Sequence, residues 1–527
     1  MPKVIAIAGM GLCGNAIFCR LSHLLATMKY SDDDITILIF EQNPQYLATG
    51  FAYSIDSPEF WTLNNPADAF KFTSTTDSLT EWIDANPELL QDHYPHRDKQ
   101  YIPRAVVGHY LRAQYEKHKT LVKSLGITVK EIFLPISDIC PLKEGNYQIA
   151  CMDQNYIADR LFITTGHLTN PFFHSVENQP GFLRFENTTG NPDAWDLADD
   201  VYIIGGQAAF VDAALWLTMK KQYSGKIHSV TRNPNILTTK GNTDSCDTTK
   251  QQELSNSLQK RFPDSLTFSE AKTLFWNAYQ NDAKNPITPT HSPGALETLR
   301  YQMNKFDHLP ENNPILGNID ELRAFIKTFY FSGCYTHMWQ SLNVEGKEQF
   351  LKYFYSLLMA YLTGITPVNA RIMLHLYEKN RIIEHHSLAS VSYDEVNHRF
   401  QLLFTSGEVL HAATLIDATG YRYKPDPNSV KPMLLDKLAQ TGLISTKPYG
   451  GIHLTDHYQV IDTYGKVHEN LVCIGPVANY NHPVPTPHSS FMVYRDVDLV
   501  MDQFASTFQV TEHEAISLPL NVFNKTL

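Results

Sequence analysis

The chain is 527 residues long, sets 55 Asp and Glu against 43 Lys and Arg for a formal charge of −12, and is 43% hydrophobic. That length exceeds one compact core, so two or three domains are expected, and with 19% charged and 12% aromatic residues the chain is not a disordered polyanion. An acidic balance without a long Lys/Arg run excludes nucleic acid and anionic membranes as main partners, and no stretch approaches the roughly 20 apolar residues of a spanning helix.

In chain order, KVIAIA (3–8) reads as a buried strand, 12–28 as a helix and ITILIF (35–40) as a second buried strand. Helical patterns follow near 77–85 and 104–124. Short strands are expected within 127–164, with a turn at Glu144-Gly145-Asn146, closing on LFITTGH (161–167). A Pro- and Asn-rich passage (170–195) leads to a second strand, helix, strand start: VYIIGG (201–206), QAAFVDAALWLTMKK (207–221) and KIHSVTR (226–232). From about 250 to 378 the pattern is helical, including 321–331 and a single run over 348–362. Strand alternation returns at 388–417, with a hairpin near Asp394–Asn397 and a terminal TLIDATGY (414–421). NLVCIGP (470–476) precedes a His- and Pro-rich loop and a helix over about 489–505. No solenoid-type repeat is evident.

The seven cysteines, at 13, 19, 140, 151, 246, 334 and 473, contain no CxxC pair. A disulfide framework, a zinc ribbon and a redox dithiol are therefore not expected, and a reducing, cytoplasmic compartment is. The apolar N-terminal stretch is interrupted by three glycines and is not read as a signal peptide.

The motif that carries chemistry is GMGLCG (9–14), a GxGxxG set after a strand and opening a helix. Gly9 permits the tight turn, Gly11 lets backbone approach a diphosphate, Gly14 permits close helix-to-strand packing, and Leu12 and Cys13 open the helix whose N–H groups face the anion. Glu41, at the end of the second strand, is placed to accept hydrogen bonds from ribose hydroxyls. It follows Gly14 by 27 residues, more than the usual 20 or so, and the polar insert 30–34 accounts for the excess. Another adenosine ligand, such as S-adenosylmethionine, fits the same pattern.

Downstream stand ATGFAYS (48–54), LNNPADAFKFTS (63–74) and YIPRAVVGHYL (101–111). With the fingerprint, these segments resemble the FAD-NAD(P)-binding flavoproteins, which carry two dinucleotide-binding folds and are related to N-hydroxylating and other flavin monooxygenases. The matching positions are Gly50, Ala52, Tyr53, Leu63, Asn64, Pro66, Pro103, Arg104, Gly108, Tyr110 and Leu111. The resemblance covers about 1–170 and 200–235, is patchy over 380–480 and is weak in the helical middle. It implies an α/β fold: a Rossmann-like FAD-binding domain (1–170 and, after a strand hairpin, 381–527) interrupted by an NAD(P)H-binding-type domain with a helical region (171–380). It also implies that TTGH (164–167) and DATGY (417–421), with Gly166 and Gly420, mark the crossovers between the two folds, and that Gly475 and Pro476 meet the flavin.

The second fold departs from the pattern. Gly205 and Gly206 are followed by Gln207 where a second fingerprint glycine is expected, and a side chain there crowds a diphosphate. Arg232 is placed to neutralise a 2′-phosphate, which favours NADPH, bound weakly or in a shifted register. An RHR-like cluster of the family is absent, since 363–372 reads TGITPVNARI with only Arg371 basic. The aromatic residues between Phe329 and Tyr355 read as core rather than as a substrate pocket. P-loop, GxSxG and HExxH motifs are absent, and His385-His386 and His482/His488 lack a third metal ligand.

The expectation is an FAD-dependent, NAD(P)H-linked oxidoreductase, a monooxygenase hydroxylating a small-molecule substrate. The alternatives are a flavin oxidase or reductase without oxygen insertion, and a non-catalytic FAD-binding interaction protein with a degenerate NAD(P)H site.

Overall fold

The computed structural model describes residues 3–28, 35–89, 101–185, 197, 200–233, 237–239, 251–261, 265–283, 294–307, 321–420, 422, 424–481 and 490–509. Two parallel sheets organise these residues. In chain order the strands are β1 (Val4–Ala8), β2 (Thr36–Phe40), β3 (Thr128–Ile132), β4 (Asp138–Pro141), β5 (Tyr147–Cys151), β6 (Gln154–Ala158) and β7 (Arg160–Ile163). They continue as β8 (Phe182–Arg184), β9 (Val201–Ile204), β10 (Ile227–Val230), β11 (Ile382–His385), β12 (Leu388–Asp394), β13 (Arg399–Phe404), β14 (Val409–Ala412), β15 (Thr414–Asp417), β16 (Gln459–Ile461) and β17 (Val467–Cys473).

The first sheet has the order β16-β17-β7-β1-β2-β3, all parallel except the β16 edge. Four of the five residues in β1 and in β2 are buried, as expected of strands covered on both faces. The second sheet has the order β11-β10-β9-β15-β8, parallel throughout. Each sheet has an antiparallel three-stranded companion, β4-β5-β6 in the first unit and β12-β13-β14 in the second.

The two units follow one plan. In each, a first strand leads through a helix to a second strand, a later helix precedes a third strand, and a three-stranded meander precedes a fourth. The first-unit helices are Leu12–Thr27 and Arg104–Ser124. Their counterparts are Ala208–Leu215, extended by one π turn to Lys220, and Pro367–Glu378. In each unit the fifth strand comes from the far side of a crossover: β17 from the C-terminal part, β8 from the segment before β9. Strands β11 and β15 both belong to the second sheet, so the chain returns to the first sheet after Asp417 rather than near residue 381.

Between β10 and β11 the second unit carries the helical region, with its own apolar core around Phe275, whose ring lies 4.8 Å from Phe354, 5.1 Å from Phe329 and 5.3 Å from Phe325. The single helix expected over 348–362 is instead two, Val344–Tyr353 and Tyr355–Thr363. Phe354 leaves the helical region (φ −125°, ψ −32°), which turns its ring into the Phe275 cluster, so tertiary packing overrides local propensity. Phe329, Tyr335, Trp339 and Phe350 are buried in that core as expected, whereas Phe331 and Tyr353 are exposed.

Candidate functional site

The glycine-rich turn sits at the C-terminal end of β1, beside the point where the order of the first sheet reverses between β1 and β7, the place where open α/β sheets bind ligands. Gly9 donates its N–H to the Phe40 carbonyl (2.9 Å) and holds φ +100°. A Cβ at Gly9 would lie 2.6 Å from the Thr164 carbonyl oxygen, and one at Gly14 2.1 Å from the Gly9 carbonyl oxygen. Both glycines are thus required by the protein's own backbone. Gly11 differs: a Cβ there meets nothing nearer than the Gly50 Cα at 3.5 Å, ordinary contact, and its φ is −77°.

Gly11 caps the helix Leu12–Thr27, which has no side-chain cap and no acidic residue in its first turn. By contrast Ser78 and Thr267 close their helices with full capping boxes. The first turn of this helix, with the positive end of the helix dipole, suits a diphosphate. Glu41 lies against this turn, accepting the N–H groups of Met10 through Oε2 (3.1 Å) and of Asn43 through Oε1 (3.1 Å). Burial pushes its carboxyl above the usual range, and the backbone hydrogen bonds pull the other way. The Cys13 thiol, buried near Asp496 and Cys473, is held far above the range in which a thiolate forms, so it serves in packing.

Further sequence-derived positions belong to the same unit. Ile474 donates its N–H to Ile163 (3.0 Å), which sets Gly475 and Pro476 beside the β7 exit. Tyr53 is half-buried, desolvation raises its phenol above its ordinary value, and its ring meets Phe70 edge-on at 5.8 Å. Asn64 is half-buried next to Leu63, whose N–H donates to Ile102 (2.8 Å). Arg104, whose charge also acts on Tyr53, reaches the second unit: its Nη1 is 2.8 Å from Asp212 Oδ2, and its Nε donates to the Thr62 carbonyl (3.1 Å). The Trp61 indole N–H also reaches the second unit, donating to the Asp212 carbonyl (3.0 Å).

The second unit repeats this frame with different side chains. Gly205 donates its N–H to Val230 (3.0 Å) as Gly9 does to Phe40, and Ala418 donates to Ile204 (2.9 Å) as Thr164 does to Ala8 (2.8 Å). A Cβ on Gly205, at φ +142°, would lie 2.2 Å from the Ala418 carbonyl oxygen, matching Gly9 against Thr164. Counting from Gly9 and Gly205, Gln207 holds the place of Gly11. Its side chain turns to the helical region, donating through Nε2 to the Ser356 carbonyl (3.1 Å). The helix Ala208–Leu215 likewise lacks a side-chain cap. Thr231 holds the place of Glu41, since its N–H donates to His385 (2.9 Å) as that of Glu41 does to Ile132 (3.1 Å). Arg232 follows, exposed.

The crossovers lie side by side. Leu168 and Arg422 form a bridge, the Arg422 guanidinium donates to the Thr169 carbonyl (3.2 Å), and Asn170 donates to Thr419 Oγ1 (3.1 Å). Gly166 and Gly420 sit at equivalent points with φ of +82° and +80°. Arg422 also forks onto buried Asp436, at 2.8 and 2.9 Å.

Three residues were not singled out from sequence. Asn15 donates to the carbonyls of Ala48 (3.0 Å) and Leu111 (2.9 Å), fixing the segment that places Gly50 against Gly11. Thr164 donates through Oγ1 to the Gly9 carbonyl (2.6 Å). Asp436 anchors the return crossover. A lone Asn in an apolar helix right after a fingerprint is a readable signal; the other two depend on long-range pairing. Among the described residues no group of three His, Cys, Asp or Glu side chains suits a metal ion, and no helix is long and apolar enough to cross a membrane. His482 and His488 lie outside the described residues.

This is the fold of the flavoproteins with two dinucleotide-binding domains. Residues 6–168 match the family model described as FAD-NAD(P)-binding, so an FAD-NAD(P)-binding domain opens the chain. The L-lysine 6-monooxygenase of Pseudomonas syringae aligns over 97% of this chain and 99% of its own, with a TM-score of 0.54 at 13% identity. The ornithine hydroxylase of Pseudomonas aeruginosa aligns over 96% and 99%, with a TM-score of 0.54 at 12% identity. The ornithine N-hydroxylase of Kutzneria sp. 744, in a complex with reduced FAD and NADP+, aligns over 96% and 99%, with a TM-score of 0.53 at 11% identity. At such identities the likeness establishes the fold alone. No curated protein sequence matches the chain.

Proposed function

We propose that the chain is an FAD-dependent, NAD(P)H-linked oxidoreductase, a monooxygenase that hydroxylates a small molecule in the cytoplasm. The observation that carries the cofactor reading is the contrast among the fingerprint glycines. Gly9 and Gly14 are forced by backbone contacts, while Gly11 has room for a methyl group, so a bound diphosphate is the reason for a glycine there. Gly11 and the first-turn amides would hold the FAD diphosphate, Glu41 its ribose, and Gly475 and Pro476 would border the flavin, with Tyr53, Asn64 and Gly166 around it. Bound FAD supplies the redox chemistry; the protein positions it and excludes water. The oxygenase reading draws on the likeness to lysine and ornithine hydroxylases. We assign the FAD domain to the chain up to the first crossover and after the second, with the nicotinamide-type domain and helical region between.

In the second unit a threonine and an arginine follow the second strand where the first has Glu41. Without a carboxylate to receive a ribose 2′-hydroxyl, and with Arg232 at hand, the site favours NADPH over NADH. Gln207, held by Ser356, favours a second reading in which nicotinamide binding is weak or lost.

The test compares Gly11→Ala with the wild type. Thermal stability is expected to change by less than about 1 kcal/mol, the scale of a glycine-to-alanine exchange at a helix cap, while flavin retained through purification is lost. Full flavin content in Gly11→Ala removes the cofactor reading. Anaerobic NADPH is expected to bleach the flavin, and its failure to do so selects the second reading.

A further inference from the structure

Residues 60–62 run along the seam between the two units, and each of the three touches the second one. The Phe60 carbonyl accepts from Asn369 Nδ2 (3.3 Å), the Trp61 indole donates to the Asp212 carbonyl (3.0 Å), and Thr62 Oγ1 donates to Thr366 Oγ1 (3.5 Å). Beside this segment the seam holds a cavity of about 160 Å³. Phe60, Tyr101, Pro103 and Ile372 give it apolar walls, and the exposed residues Glu59, Met219 and Val368 stand at its mouth. The second unit contributes the end of the helix that follows Gln207 and the first two turns of Pro367–Glu378. At about 1.5 Å per residue, Met219 lies roughly 18 Å along that helix from Gln207, so the cavity is apart from the turn proposed for a nicotinamide dinucleotide.

One polar atom on this lining is left over. Asn369 is 5% exposed, yet its Oδ1 accepts no hydrogen bond. The amide cannot be reversed, because that would set Oδ1 against the Phe60 carbonyl, acceptor against acceptor. Nor does the helix need this side chain, since its N-cap is Thr366, which accepts the Asn369 N–H through Oγ1 (3.4 Å). A buried acceptor without a donor is costly, and a water at Oδ1 would face apolar walls in place of the two to four polar partners an ordered water takes. The volume is close to the roughly 150 Å³ of an engineered cavity that holds benzene. We infer that this cavity binds a small ring compound carrying one O–H or N–H group, its ring against Phe60, Tyr101 and Ile372 and its donor on Asn369 Oδ1. The Glu59 carboxylate at the mouth is a second acceptor and turns anions away, so a phenol fits and a benzoate does not. A ligand here touches both units and braces the seam that the Arg104–Asp212 pair closes. The site does not depend on the flavin assignment.

The experiment titrates the full-length protein, as isolated, into para-fluorophenol, para-fluoroanisole and para-fluorobenzoate. Binding is read from the broadening of the fluorine NMR line, and the absorbance of any bound flavin is followed on the same sample. The phenol is expected to bind about tenfold more tightly than the anisole or the benzoate, the factor that one buried hydrogen bond supplies. Val368→Trp, an exposed change at the mouth, is expected to weaken the phenol about tenfold by filling its entrance. Asn369→Leu removes the acceptor and brings phenol and anisole to within about twofold of each other. Equal binding of phenol and anisole by the wild type overturns the proposal. So does phenol binding that Val368→Trp leaves unchanged, or that shifts the flavin absorbance and so belongs to the cofactor site. Where Asn369→Leu does not fold, the phenol-to-anisole ratio of the wild type and the Val368→Trp titration decide.

Discussion

The ion pair between Arg104 and Asp212 should fasten the two nucleotide-binding units together. Arg104 lies in a segment of the FAD-binding region and Asp212 on the first helix of the second unit, with side chains only 18% and 8% exposed. Burial raises the Asp212 carboxyl and the nearby Arg104 charge opposes that rise. Removing one member of so buried a pair strands the other, at a cost of about 3–5 kcal/mol. Arg104→Met leaves a buried carboxylate that takes up a proton, so its cost grows as pH rises above the unfolded-state value near 3.9, at up to about 1.4 kcal/mol per unit. Asp212→Asn leaves a guanidinium still bonded to the Thr62 carbonyl and carries no such slope.

Urea unfolding of both single variants and the double variant at pH 5 and 7.5 measures this, and a coupling of about 2–3 kcal/mol is expected at pH 7.5. A coupling under about 0.5 kcal/mol, or identical pH dependence in the two single variants, would falsify the clamp. The same samples decide what Arg104 does for the cofactor. As a clamp it leaves flavin content equal in the two single variants; loss of flavin in Arg104→Met alone makes it a cofactor ligand.

Further outcomes follow from other contacts. Gly205→Ala drives a methyl group to 2.2 Å from the Ala418 carbonyl, so a loss of several kcal/mol, in the range of other strained-backbone and overpacking changes, is expected in thermal unfolding, unlike Gly11→Ala. Asp436→Asn removes the charge on which Arg422 forks and weakens the acceptor for the Asp426 (2.7 Å) and Met433 (3.1 Å) N–H groups; chemical denaturation should show a loss of about 3–5 kcal/mol. His228 Nδ1 and His385 Nε2 lie 2.8 Å apart, and burial lowers both imidazoles. The unfolded chain then binds more protons as pH falls below about 6.5, so the melting temperature should drop between pH 7.5 and 5.5, and less so in His385→Gln. Equal drops in the two proteins would remove the histidine pair as the cause.

The first strand, helix and strand of each unit were legible because buried parallel strands give uninterrupted apolar runs and because the glycine fingerprint lies between them. Tyr53 and Gly108 were marked by resemblance, and the structure supplies a physical reason: a Cβ at Gly108 would lie 2.1 Å from the Tyr53 carbonyl oxygen. Arg104 shows what spacing leaves open. Its position in the segment was readable, but its partner is 108 residues away on another helix, and only the packed fold brings Asp212 to it. The break at Phe354 was hidden for a similar reason, since the residues that draw its ring inward come from other helices.

The repeated plan of the two units also explains why the chain looked free of repeats. What recurs is a set of backbone contacts rather than side chains. Gly9 and Gly205 are retained because each packs on a carbonyl at the exit of the fourth strand, Thr164 in one unit and Ala418 in the other. Other positions have diverged, with Gln207 in place of Gly11 and Thr231 in place of Glu41. The same count sets Phe210 in the place of Gly14, so the divergence also reaches a position that packs on backbone in the first unit. The exchange of fifth strands, β17 into the first sheet and β8 into the second, ties the two frames through paired crossovers. A movement of one unit against the other would therefore strain the Leu168–Arg422 bridge and the Arg104–Asp212 clamp together with the Trp61–Asp212 hydrogen bond.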